Sequence, residues 1–415
     1  MTPFTNVATY DYVIVGAGII GLTISRELKL RDPDTRIAVL EKEPMPAYHA
    51  SGRNSGVLHA GFYYTANSLK ARFTRDGNRM LRDYCEKYGL DMNRCGKLIV
   101  AADEEELRGL EELKRRGDTN GVELHWVDEV EAMAIDPNAK TFRKALYSPT
   151  TVTVDPQQVC ETLWRENERN GVHFYLDTPF VDFVDGHVHA CGGELTLRCG
   201  YLINAAGLYA DKIAQALGFG RSYTIIPFKG LYLKYAKNKT DIRTNIYPVP
   251  NLGNPFLGVH FTKTVDGGIK IGPTAIPALW RENYKGFSRF RLSEFLTILF
   301  YEAKLVLTNS FGFRRLAIEE MKKYFRSNFI RLSQKLARGV DPEGFGEFGR
   351  PGIRAQLLHK DTLELVQDFV IEGDHRSMHV LNAVSPAFTC SMPFARYVVD
   401  EVEEKRRVVK EEDLL

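Results

Sequence analysis

A chain of 415 residues is longer than a single hydrophobic core usually organises, which predicts two connected domains. Its 44% hydrophobic and 26% charged residues are ordinary soluble values, and a net charge of +2 gives no basis for nucleic-acid binding. Six scattered cysteines without a CxxC pair fit reduced thiols in a cytoplasmic compartment, and no metal-binding cluster is visible.

The N-terminal run "MTPFTNVATYDYVIVGAG" enters a strand by about Tyr10, leaving no room for a secretory leader. "YDYVIVGAGIIGLTISRELKLRDPDTRIAVLEK" then reads as strand, glycine turn, helix and strand, with "YVIV" the run of a strand buried on both faces. Gly16 permits the tight turn, Gly18 lets backbone N–H groups approach a pyrophosphate, and Gly21 lets helix and strand pack closely. Glu41 closes the second strand, where a carboxylate can accept hydrogen bonds from both ribose hydroxyls.

Past Glu41 the chain leaves the alternation of strands and helices for "KEPMPAYHASGRNSGVLHAGFYY", a segment dense in small residues. An amphipathic helix over 67–89 follows, then "GKLIVAAD" as a strand, a charged helix, and "VELHWVD" as a further strand. Asp155 and Pro156 open a helix as cap and first residue, and Gly171 ends it. "FVDFVDGHVHACGG" is a hairpin with an Asp-Gly turn. "CGYLINAAGLYADKIAQALG" (199–218) places Ala205, Ala206 and Gly207 between a strand and a helix, as a second nucleotide-contacting turn. A chain that returns to the same dinucleotide after wandering away suits FAD, which is long and held extended.

From Tyr223 to Pro273, runs such as "YTIIPFKGLYLKYA" and "NPFLGVHFT" predict an antiparallel sheet over the substrate. Residues 281–338 read as helical, with aromatics and leucines among many lysines and arginines, a composition that can lie on an anionic membrane surface. Within it "LSEFLTILFYEAKLVL" carries Glu294, Glu302 and Lys304 and falls short of a spanning helix. The last strand, "MHVLNAV", leads to a helix predicted to begin near Ser391, because Pro393 is tolerated in a first turn.

"SGRNSGVLHAGFYY", "YPVPNLGNPFLGVHFTKTVDGGIKIGP", "RPGIRAQLL" and "HVLNAVSPAFTCS", in that order and spacing, resemble the glycine/D-amino-acid oxidase superfamily of flavoproteins, and more narrowly the L-2-hydroxyglutarate dehydrogenases. The resemblance runs from about Tyr10 to about Val402. It implies an α/β fold: a Rossmann-like FAD-binding domain of glutathione-reductase type with an inserted antiparallel-sheet, α+β substrate domain. The expected partition is 1–90, 145–220 and 345–415 for FAD, and 91–144 and 221–344 for substrate, with the basic helical segment at 281–340. It further implies FAD as cofactor, held by Gly16, Gly18, Gly21, Glu41, Lys42, Ser51, Arg53, Asn54, Ser55, Gly56, Ala206, Gly207, Ser385 and Pro386.

Oxidising a 2-hydroxy acid needs a base for the hydroxyl proton, and His59, between small residues in a segment expected beside the flavin, is the first candidate, with His260 second. A dicarboxylate substrate needs cationic or donor groups, for which Arg354 leads, followed by Lys229, Arg350 and Tyr64. The chain departs from the family pattern at Leu231 and at His359, where acidic or amide residues are expected. The implied activity is oxidation of L-2-hydroxyglutarate to 2-oxoglutarate, with quinone or oxygen as electron acceptor and a peripheral membrane contact. An amine or amino-acid oxidase of the same superfamily is the alternative.

Overall fold

The computed structural model of the protein describes residues 7–65, 68–236, 241–250 and 257–412. Tyr12–Val15 forms the predicted strand, buried along its whole length, near the middle of a six-stranded sheet. The order is His173–Tyr175, Ile37–Leu40, Tyr12–Val15, Leu202–Asn204, Ser377–Asn382 and Val370–Gly373. The first five strands run parallel and the last is an antiparallel edge. Burial on both faces explains the unbroken apolar run. Tyr12 and Ile14 face a helical core cluster, whereas Val13 and Val15 face the cluster built on a smaller sheet that includes Phe183, Val188 and Leu197.

That smaller sheet holds the predicted hairpin, Phe180–Val184 with His187–Ala190, whose Asp185 and Gly186 both take positive φ as a two-residue hairpin turn requires. The helical face is built by Ile19–Arg31, Pro156–Arg169, Leu69–Lys87 and the C-terminal helix Ala387–Glu412. Asp155 caps the second of these by accepting from the N–H groups of Gln157 and Gln158.

The C-terminal helix begins at Ala387, a turn before the predicted start near Ser391, so Pro393 lies inside it. Proline has no N–H for the carbonyl four residues earlier, here that of Thr389. Gly77 of the Leu69–Lys87 helix packs against that same carbonyl, with space so tight that a Cβ on Gly77 would stand 2.0 Å from the oxygen. Gly77 thus lets the neighbouring helix close over the carbonyl that Pro393 leaves without its helical donor.

An eight-stranded sheet forms the second layer: Phe345–Phe348, Leu233–Tyr235, Ile269–Gly272, His260–Lys263, Asn245–Pro248, Lys97–Val100, Lys144–Ser148 and His125–Asp128. All its pairings are antiparallel except that of Asn245–Pro248 with Lys97–Val100. Lys144–Ser148 and Phe345–Phe348, which the expected partition assigns largely to the FAD unit, pair here. Part of the "NPFLGVHFT" run falls on 251–256 and lies outside the described residues. Gly352–His359 pairs along its whole length with Tyr223–Gly230 in a three-stranded sheet between the two layers.

The 281–338 segment is helical from Leu292 rather than from its start, as Leu292–Thr308, Phe313–Lys322 and Arg326–Ser333. Residues 280–291 form an irregular strap in which Trp280 stacks on Phe287. Arg281 anchors the strap. Its guanidinium donates to both carboxylate oxygens of Asp211 at 2.7 and 2.8 Å, with the two side chains 2% and 0% exposed. Asp211 belongs to the Ala210–Ala216 helix beside the six-stranded sheet, so this pair ties the strap to the nucleotide-binding layer. Removing one partner strands a buried charge, so Arg281→Met should cost about 3–5 kcal/mol in chemical denaturation, and adding Asp211→Leu should recover most of it.

Candidate active site

Gly16 takes φ +105 and would bring a Cβ to 2.6 Å from the carbonyl oxygen of Ala205, while a Cβ on Gly21 would overlap the Gly16 carbonyl at 1.9 Å. These two glycines therefore fix the turn and the close helix–strand contact. Gly18 caps the first helix, and Gly16, Gly18, Ile19 and Ile20 line a cavity at its start. The Glu41 carboxylate accepts from the N–H of Ala17 at 2.9 Å and of Glu43 at 3.0 Å, and burial pushes its pKa up against those bonds. It reaches the same cavity.

The segment 51–61 folds around this turn as a loop held by its own polar groups and by the short strand Val57–Leu58, which pairs with Val152–Val154. Ser51 Oγ accepts from the Ile19 N–H at 2.9 Å, pinning the loop across the start of the helix. Asn54 donates to the Ser51 carbonyl and accepts from the Gly56 N–H. Gly56 has φ +76 and would place a Cβ 2.2 Å from the Val154 carbonyl. Arg53 donates to the carbonyls of Tyr48 and Pro351 and lies over the rings of Tyr48 and Tyr284, so its charge organises the loop. Ser55 accepts from the Val57 N–H and hydrogen-bonds the Tyr232 hydroxyl. At the end of the loop, the His59 N–H donates to Thr389 Oγ1 at 3.2 Å. The C-terminal helix that Pro393 and Gly77 position therefore also positions His59.

One cavity of about 880 Å³ runs from the glycine turn past Ala206, Gly207, Ser385 and Pro386 to His59, His260 and Arg354. The glycine turn at the helix start, the terminal carboxylate and an elongated cleft fit a dinucleotide in extended form. At its outer end Lys42 does not stand alone: its ammonium reaches Glu43, Glu282 and His49, and Arg289 bridges the same two carboxylates. Burial alone would raise the pKa of Glu43, but His49, Arg289 and Lys42 hold it well below the usual range. The ligand atoms of Glu43, His49 and Glu282 lie within 4.8 Å of one another, yet Lys42 and Arg289 already supply the positive charge there.

At the inner end three groups arrive from three parts of the chain. His59 comes from the loop, His260 from the eight-stranded sheet and Arg354 from the Gly352–His359 strand. His260 stacks on Tyr247 with centroids 3.7 Å apart, and its Nδ1 lies 2.8 Å from the Gly258 carbonyl. A carbonyl only accepts, so Nδ1 carries the proton and Nε2 the lone pair. Burial, with Lys97 and Arg354 nearby, lowers the His260 pKa to about 3. His59 is likewise held well below its ordinary value by burial and by Lys97, His260 and Arg354. Both surroundings favour the neutral imidazole.

Other expected residues stand elsewhere. Lys229 is opposite Ile353 in the strand pairing, which turns it to the face away from Arg354, where it donates to Asn283 at 3.3 Å. Arg350 is exposed. Tyr64 lies behind the cavity wall with its ring 5.9 Å from the Lys70 ammonium, near enough for Arg354 to act on its hydroxyl. Neither Leu231 nor His359 is among the described residues lining the cavity, so neither departure alters its wall. Lys97, which the sequence did not single out, stands next to His59. It is fully buried, its Nζ is 3.3 Å from His59 Nδ1, and its one sequence signal is a lysine heading the apolar run "KLIV".

A family profile described as FAD dependent oxidoreductase matches residues 11–401. The chain is 36% identical to the mitochondrial L-2-hydroxyglutarate dehydrogenase of Bos taurus, over 96% of this chain and 90% of that one. It is 35% identical to the L-2-hydroxyglutarate dehydrogenase of an Escherichia coli strain, over 95% and 93%. In fold it matches the FAD-bound L-alpha-glycerophosphate oxidase of Mycoplasma pneumoniae with a TM-score of 0.74 at 20% identity, over 95% of each chain. With its glycine turn, terminal carboxylate and long cleft accounted for, the chain belongs to the FAD-dependent oxidoreductases and, within them, to the L-2-hydroxyglutarate dehydrogenase family.

Proposed function

We propose that the protein oxidises L-2-hydroxyglutarate to 2-oxoglutarate and passes the electrons to a membrane quinone, with oxygen as the alternative acceptor. The observation that carries this reading is the convergence of His59, His260 and Arg354 at the inner end of the dinucleotide cleft. Bound FAD supplies the acceptor for the hydride leaving C2 of the substrate. The protein's own groups do the rest. Arg354 binds a substrate carboxylate through two parallel N–H donors. The neutral His59 takes the hydroxyl proton. His260, whose pKa of about 3 makes it a poor keeper of a proton, accepts a hydrogen bond at Nε2 and orients the hydroxyl. Low dielectric around the buried rings strengthens each of these contacts. The names of the relatives favour the hydroxy acid over an amine substrate.

Anaerobic titration tests the assignment. The yellow flavin bands should bleach with L-2-hydroxyglutarate and persist with its D-enantiomer, lactate and sarcosine; bleaching by sarcosine alone would move the protein to the amine oxidases. His59→Ala should keep its flavin and slow the bleaching about 10²–10⁴-fold. Arg354→Met should lower kcat/KM roughly tenfold to a hundredfold, the value of a lost charge-assisted contact.

The membrane contact rests on the Leu292–Thr308 and Phe313–Lys322 helices and the strap before them. No helix among the described residues is long and apolar enough to cross a membrane. Leu292, Leu296, Leu299, Phe300 and Leu307 are nevertheless exposed on one helix, and Phe287 and Phe311 beyond its two ends are 84% and 74% exposed. Arg291, Arg314, Arg315 and Lys322 are exposed beside them. Apolar side chains rimmed by basic ones suit an anionic lipid surface. Vesicles containing anionic lipid should sediment the protein, and Leu296→Glu with Phe300→Glu should weaken that binding at least about tenfold, since each buried apolar side chain contributes about 1.5–3 kcal/mol. Equal sedimentation of wild type and variant would remove the membrane contact.

A further inference from the structure

A base that must hold the substrate proton cannot also sit in an environment that refuses it. His59 is in that position, because burial and the charges of Lys97, His260 and Arg354 all oppose its protonation. Its Nδ1 faces the Lys97 Nζ at 3.3 Å, which is the only side-chain hydrogen bond of Lys97 among the described residues. The lysine is 0% exposed and makes no carboxylate ion pair among the described residues. It lies against aromatic faces instead, 4.3 Å from the Tyr247 centroid, 5.2 Å from Tyr63 and 5.6 Å from Phe62. It is not among the described residues lining the cavity, so it stands behind His59 rather than beside the substrate.

Building on the proposed reaction, we propose that Lys97 is the proton acceptor behind His59 and that its own protonation state sets which nitrogen of His59 faces the substrate with a lone pair. An ammonium at Lys97 can only donate, so it fixes the lone pair of a neutral His59 on Nδ1 and leaves Nε2 as an N–H donor, useless as a base. A neutral amine at Lys97 accepts from Nδ1–H and leaves the lone pair on Nε2, toward the cavity. In the reactive state the substrate O–H bond breaks and its proton bonds to His59 Nε2. The Nδ1–H bond breaks in turn and that proton bonds to the Lys97 amine, which becomes an ammonium. C2 keeps the oxygen, as a carbonyl, and loses its hydride with both electrons in the reaction already described. No imidazolium has to persist.

The groups facing this pair are consistent with such a role. Burial lowers the Lys97 pKa to about 7, with the Cys95 thiol opposing the shift, so both of its states are accessible near neutrality. Toward His59 the other titratable groups are His260 and Arg354, and toward Lys97 they are the Tyr63 and Tyr247 phenols, whose pKa values burial raises. None of these takes a proton from His59 Nδ1.

The experiment has two arms. Nitrogen-15 histidine spectra of the wild-type holoenzyme, taken from about pH 6 to about pH 9, should show the His59 signals exchanging from the Nε2–H to the Nδ1–H tautomer through about pH 7, and Lys97→Met should abolish the exchange. Anaerobic flavin reduction should rise with pH in wild type through a higher midpoint, because the bound dicarboxylate raises the Lys97 pKa. Lys97→Arg, which never deprotonates, should be slower about a hundredfold and show no such rise. A single His59 tautomer across the range in wild type, or a wild-type pH profile in Lys97→Met, overturns the inference. Failure of L-2-hydroxyglutarate to bleach the wild-type flavin would instead count against the proposed substrate, and the tautomer arm would still decide the role of Lys97.

Discussion

Taking an ammonium out of water costs several kcal/mol, and Lys97 is wholly buried at the head of a strand whose remaining residues are apolar. The ring faces around it return part of that cost, about 0.5–2 kcal/mol for a cation over an aromatic face. The proton on Lys97 is therefore loosely held. Burial first, then the charges of Lys97 and Arg354, oppose protonation of His59 and His260. A chamber of this kind favours an anion that brings negative charge to it. A substrate with two carboxylates fits that demand, and its arrival would tighten every proton in the chamber.

The rest of the fold serves to hold this chamber against the dinucleotide cleft. The six-stranded sheet supplies the glycine turn and Glu41. The eight-stranded sheet supplies Lys97, Tyr247 and His260, and the three-stranded sheet between them supplies Arg354. His59 is fixed from a third direction, through Thr389 on the C-terminal helix. That helix owes its close approach to Gly77, the one residue type that fits against the carbonyl freed by Pro393. A packing detail more than ten residues from any catalytic group in sequence thus bears on where the imidazole stands.

The nucleotide end was legible in the sequence because its signals are local: Gly16, Gly18, Gly21 and Glu41 each act within a few residues of a strand or helix end. The substrate end was legible only by resemblance, since His59, His260 and Arg354 come from distant segments. Lys229 shows the limit of composition without register, because a strand turns alternate residues to opposite faces and Lys229 and Arg354 fall on different ones. Lys97 shows the same limit from the other side. A lysine before three apolar residues reads as a solvated strand end, and only the packing of Tyr63, Tyr247 and His59 around it makes it an interior group. The start of the C-terminal helix was misplaced because Pro393 argues for a first turn unless the Gly77 contact is known.

The buried, loosely protonated Lys97 and the Arg354 guanidinium together favour a dicarboxylate over an uncharged ligand. Calorimetric binding of glutarate, which has the carbon skeleton of the substrate without the hydroxyl to be oxidised, tests it most directly when repeated in two buffers of different ionisation enthalpy. Because burial holds the Lys97 pKa near 7 and an anion raises it, binding slightly above neutrality should take up part of a proton and weaken as pH rises. Binding with the same heat in both buffers, or equal affinity for the uncharged diamide, would contradict the account.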